Sequence, residues 1–163
     1  MSGRAGSPSF ALALAGPLVA GAVLGVPGGL AAVGTRSVGL VALVLGVSAL
    51  TAPALYVGAT LLQVAPEAGS WVGAGRRALA SQGILLLGLT GPLLFLLATS
   101  SDPGGLVPLL GALAVGGAGL AAMRALFQRV FPARPLRSVV LFTAWGLIAS
   151  AIGRHLLLKL LEA

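Results

Sequence analysis

Residues 78–100 read ALASQGILLLGLTGPLLFLLATS, a stretch without a charge between Arg77 and Asp102. As an α-helix it is about 35 Å long, more than the ~30 Å hydrocarbon core of a bilayer. Similar charge-free runs lie between Arg4 and Arg36, Arg36 and Glu67, and Asp102 and Arg124, with a shorter one between Arg137 and Arg154. In lipid a single segment must satisfy its own backbone hydrogen bonds, which leaves the helix as the only form for such runs. The expectation is therefore an all-α polytopic membrane protein, a compact bundle of five transmembrane helices. The predicted spans are 10–33, 38–63, 78–100, 104–126 and 136–161.

Composition agrees. The chain is 58% hydrophobic and only 8% charged, with a mean hydropathy of +1.07, whereas roughly a quarter of the residues in a soluble domain are charged. Five spans and their turns use nearly all 163 residues, so a single transmembrane domain is expected. The net charge of +7 does not imply nucleic acid, because the basic residues sit at the ends of apolar runs as topology signals do. With no cysteine, disulfides, thiolate metal sites and cysteine nucleophiles are excluded. Nine arginines against one lysine, with much glycine and alanine, fit a GC-rich genome and a bacterial inner membrane. A cleaved signal peptide is the alternative for the first run, which is much longer than a signal core of 7–15 residues.

The connectors carry direction. Gly34-Thr35-Arg36-Ser37 is expected to turn between spans one and two. Pro66 and Glu67 suggest a short interfacial helix in the 64–77 connector, where Trp71 suits the headgroup region. Asp102 as N-cap, with Pro103 at the first helical position, starts span four. Phe131-Pro132-Ala133-Arg134-Pro135 ends it. Five spans put Arg4, Arg76, Arg77, Arg124, Arg129, Arg134 and Arg137 on one side, against Arg36, Arg154 and Lys159 on the other. That bias predicts a cytoplasmic N-terminus and a C-terminus outside.

Several patterns are candidates for function. Leu50-Thr51-Ala52-Pro53 and Leu89-Thr90-Gly91-Pro92 predict a kink in each of spans two and three, with Thr51 and Thr90 near the freed carbonyls. Such kinks would frame a cavity in a transporter or be ordinary Thr-x-Pro bends. Gly21, Gly25 and Gly29, like Gly146 with Ser150 and Ala114 with Ala118 and Ala122, place small residues at four-residue spacing. Such faces let helices pack closely, within one bundle or between copies.

Arg154 would fall near the outer end of a short span, either snorkelling or pairing with Asp102. Arg124, Arg129, Arg134 and Arg137 among Leu126, Phe127, Val130 and Phe131 suit an anionic lipid surface as well as the positive-inside signal. One histidine, His155, cannot form a bis-histidine site. No catalytic, metal or cofactor constellation stands out, and no cofactor is expected.

Gly16-Pro17-Leu18 and Gly91-Pro92-Leu93, with five spans and a cytoplasmic N-terminus, give the chain a topology that resembles the Yip1-type five-span membrane proteins. That resemblance implies a helical membrane protein, related to eukaryotic members that act with small GTPases in trafficking. No acidic residue precedes Gly16, and no binding residue carries over. The functional expectation is a non-enzymatic structural or assembly component of the lipid bilayer that packs with itself or with a partner membrane subunit. The alternative is a small channel or transporter with a cavity between spans two and three.

Overall fold

The computed structural model describes residues 8–131 and 136–162, and those residues hold five α-helices and one 3-10 turn. These are α1 (Pro8–Gly25), the turn Val26–Gly28, α2 (Gly29–Leu61), α3 (Ala68–Thr99), α4 (Pro103–Val130) and α5 (Leu136–Glu162). Four helical stretches are long and apolar enough to cross a membrane: Phe10–Leu61, Ala68–Thr99, Pro103–Val130 and Leu136–Leu161. The first is 52 residues long and takes in both of the first two predicted spans.

Within that stretch the chain reverses earlier than expected. Gly34-Thr35-Arg36-Ser37 is helical, and the reversal comes at Val26–Gly28. Pro27 removes a ladder donor, and Gly29 holds a φ of 81° that strongly favours glycine. The hydroxyls of Thr35 and Ser37 fold back onto the carbonyls of Ala31 and Val33, so both residues sit easily inside a helix. After the reversal α1 and α2 lie side by side. A Cβ on Gly25 would collide with Val33, and one on Gly21 would meet the Arg36 carbonyl and lie 2.7 Å from Ser37 Cα.

A second close approach holds α1 to α3. Added Cβ atoms on Gly16 and Gly83 would each strike the other helix's backbone, at Gly83 and Leu12 respectively. In turn α3 packs on α4, α4 on α5, and α5 on α2, which closes a ring of five helices. Inside it, Ala20 and Leu24 of α1 meet Leu40, Leu86, Val107, Ala114, Ala118, Leu157 and Leu161. The small residues Gly21, Gly25, Ala114, Ala118 and Ala122 are thus spent within this bundle. Gly29 forms the turn instead of a packing face.

The remaining boundaries follow the expected breakers with two changes. The separate interfacial helix expected after Pro66 is the first part of α3, which runs without a break from Ala68 through Trp71 to Thr99. Before it, Gln63 adopts a left-handed φ of 56°, and the Val64 amide reaches back to the Ala59 carbonyl at 2.9 Å. At α4 the expected cap is present: Asp102 Oδ1 accepts from the Gly105 amide at 3.0 Å, with Pro103 in the first turn.

Candidate functional site: cations beside apolar helices

Because α5 runs antiparallel to α4, two contacts fix its register. Gly146 lies against Met123, where an added Cβ would be 3.7 Å from the sulfur, and a Cβ on Gly111 would be 2.7 Å from Leu161 Cδ1. Arg154 stands eight residues past the first contact and seven before the second. It is therefore level with the middle of Gly111–Met123, inside the charge-free run of α4. The opposite neighbour agrees. Trp145 Nε1 donates to the Thr51 carbonyl at 2.7 Å, and Gly39 faces Leu160, which puts Arg154 beside the uncharged middle of α2.

This placement corrects the expectation for the outer rim. Asp102 precedes α4, about 20 Å along the helix axis from the level of Arg154. The two form no ion pair among the described residues, and both are exposed. Arg154 does not mark the end of the bundle. It stands exposed beside the apolar middles of α2 and α4, while Lys159, also exposed, lies next to Leu160 and Leu161 about one turn from Arg36. On insertion scales an arginine at a helix centre costs ~2.5–3.5 kcal/mol. Before Arg154, α5 presents Leu136, Val140, Leu147 and Ile148 outward. Only 11% of its most apolar eighteen residues are buried, against 39% in α4.

A second cation among the helices, Arg36, is handled in the opposite way, and the sequence had placed it in a turn. Arg36 is half-buried on α2. Its Nη1 donates to the Leu24 carbonyl at 2.8 Å and its Nη2 to the Leu161 carbonyl at 2.9 Å. Both carbonyls belong to the last turn of a helix, where acceptors lack ladder partners and the dipole is negative. The planar fork of arginine is suited to span two such acceptors. Its Nε is buried without a hydrogen bond. The sign of this site in the sequence was an arginine far from any acid, within reach of two helix ends that only the fold brings together.

The other candidates are dispersed. Helix α2 continues through Pro53 and α3 through Pro92. The threonines do not serve the carbonyls those prolines leave free, which belong to Ala49 and Gly88. Thr51 Oγ1 donates to Val47 at 2.7 Å and Thr90 Oγ1 to Leu87 at 2.6 Å. Ser48 and Thr60 likewise bond the carbonyls of Val44 and Tyr56 in their own helix. Ser150 is exposed, and so are Arg124, Arg129 and Arg137. Arg134 lies outside the described residues.

Near those arginines a second apolar cluster gathers Ala59, Ala74, Val130 and Phe131 without α1. Its rings interlock: Tyr56 meets Trp71 edge-on at 5.4 Å, Phe127 meets Phe142 at 5.0 Å, and Phe142 meets Trp145 at 5.2 Å. Nothing in the sequence reading joined these aromatics, which come from four helices.

A groove of about 380 Å³ lies between α2 and the start of α3, lined by Ala49, Ala52, Pro53, Tyr56, Ala68, Trp71 and Val72. Its lining is apolar apart from the Tyr56 hydroxyl and the Trp71 ring nitrogen. No group of three or more His, Cys, Asp or Glu side chains among the described residues could hold a metal ion. No protein family, curated protein or solved structure matches this chain.

Proposed function

We propose that the chain is a non-enzymatic, five-span membrane protein of the bacterial inner membrane, a structural or assembly component that works by helix packing with itself or a partner. The N-terminus and the arginine-rich connectors lie in the cytoplasm in this reading. The single observation that carries it is the outward face of α5, apolar along its first half and cationic at mid-span, which lipid alone covers poorly. The hydroxyls support it too. A transport path gathers polar side chains around a cavity, whereas Ser48, Thr51, Thr60, Thr90 and Thr99 bond the carbonyls of their own helices. The likeness to Yip1-type proteins enters through topology alone.

Extraction in a mild detergent followed by native mass spectrometry tests the reading. A defined assembly, either homomeric or with a second membrane subunit, is the expected result. A bare monomer under all gentle conditions refutes it. A small channel or transporter is the second reading, favoured by the groove beside Pro53 between α2 and α3. Its polar lining is too sparse for an ion, so flux of an apolar solute in proteoliposomes, reduced by Ala52→Leu, is the measurement that would favour it.

A further inference from the structure

We propose that the outward face of α5 is the docking surface for a membrane-spanning helix of another protein that carries a carboxylate at the middle of its span. The inference rests on the reading above, that the chain acts through helix packing, and adds the chemistry of what it packs against. Arg154 is exposed and makes no ion pair among the described residues. The contacts at Gly146, Leu160 and Leu161 set it beside uncharged parts of α2 and α4. Intramembrane arginines are rare, and they pair or face a bundle interior or water. Arg154 is turned away from the core of its own bundle, and no acid of the chain lies at its level, so its counter-charge has to come from outside.

A second copy supplies that charge poorly. Copies inserted in one orientation and related by an axis along the membrane normal keep equal depths, so cation meets cation. Glu67, Asp102 and Glu162 are the only acids in the chain. Glu67 precedes α3 at the other end of the bundle. Asp102 is about 20 Å from the level of Arg154, and Glu162 is about 12 Å further along α5. A foreign helix with a carboxylate at mid-span matches Arg154 in depth and sign, and apolar residues beside that carboxylate would cover Leu147 and Ile148.

The test uses the whole chain in phosphatidylethanolamine–phosphatidylglycerol vesicles. Because the chain has no cysteine, Ser101→Cys takes a single donor dye on the connector between α3 and α4. The probes are acceptor-labelled Leu/Ala transmembrane peptides with Asp, Asn or Leu at the midpoint. A central residue sits at the same depth whichever way the peptide inserts. Energy transfer should show the Asp peptide binding about tenfold tighter than the Leu peptide, with Asn between them. The variant Arg154→Gln should erase the preference.

Equal affinity for the three peptides overturns the proposal, as does an Asp preference that survives in the variant. Native mass spectrometry of the same variant separates this failure from that of the broader reading. An assembly that persists without this charge leaves helix packing standing and removes the acidic partner. A monomer in both the parent and the variant removes both.

Discussion

Gly83→Ala adds one methyl group where α1 and α3 touch backbone to backbone, and the structure fixes its cost. The new Cβ would collide with the Leu12 carbonyl oxygen, lie 2.7 Å from Leu12 C and 3.0 Å from Ala13 Cα, whereas ordinary contact begins at 3.4 Å. All three atoms are backbone, so no rotamer change relieves the clash. Helix α1 must retreat by about 1 Å, a gap that forfeits a quarter to a half of each dispersion well across the crossing. A third of a ~0.15 kcal/mol well, over the ~40 contacts of one buried side chain, is ~2 kcal/mol. That sits within the ~1–3 kcal/mol usual for overpacking.

Gly88→Ala is the control. It is the same chemical change on the same helix, at a site with nothing within 4 Å. There alanine should be neutral or stabilising by up to ~1 kcal/mol through helix propensity. Reversible unfolding in mixed micelles, followed by far-UV circular dichroism, compares the two. The propensity gain is common to both sites and cancels, so the expected difference is ~2 kcal/mol against Gly83→Ala. Equal stabilities within ~0.5 kcal/mol would refute the close α1–α3 approach.

Trp145→Phe removes the indole donor to the Thr51 carbonyl and should cost about 1 kcal/mol. Near-ultraviolet circular dichroism and unfolding in the same micelles check this. Asp102→Ala should cost about 1 kcal/mol through the lost cap on α4, and a cycle with Arg154→Gln should be additive within ~0.5 kcal/mol. A larger coupling would mean that the two residues do meet. Arg36→Lys should lose about 1 kcal/mol or more, because one ammonium replaces a fork reaching two separate carbonyls; thermal unfolding reads it out. Alkaline phosphatase fused after Arg77 or after Arg134 should be inactive, since both sites are assigned to the cytoplasm.

The helical class was legible because a bilayer imposes a single rule, length without charge, and four of the runs around Arg36, Glu67, Arg77, Asp102 and Arg124 obey it. Local chemistry was legible as well: Asp102 and Pro103 begin α4 through interactions within four residues. The reversal was misplaced because Gly34-Thr35-Arg36-Ser37 has turn composition, yet its two hydroxyls bond back within the helix. Pro27 and Gly29 were the better signal, a missing donor next to a positive φ. The depth of Arg154 could not be read from sequence. It depends on how far α5 slides along α4 and α2, and packing at Gly146 with Met123 and at Gly39 with Leu160 sets that slide. Counting residues from Arg137 assumed that every span begins at one plane.

Arg36 and Arg154 show what the slide does. Both are arginines beside apolar helices, and neither is paired with an acid among the described residues. Arg36 turns inward, where two helix ends offer carbonyls with a negative dipole behind them, so its charge helps to lock α1 and α5 to α2. Moving α5 by one turn, about 5.4 Å, would take the Leu161 carbonyl away from that fork. The same register that satisfies Arg36 therefore holds Arg154 level with the middle of α4. Relieving that outer cation by sliding α5 would break the inner contact, and the bundle keeps the inner contact. What remains on the outside is a fixed charge at a fixed depth, a feature that lipid does not complement and a carboxylate-bearing helix does.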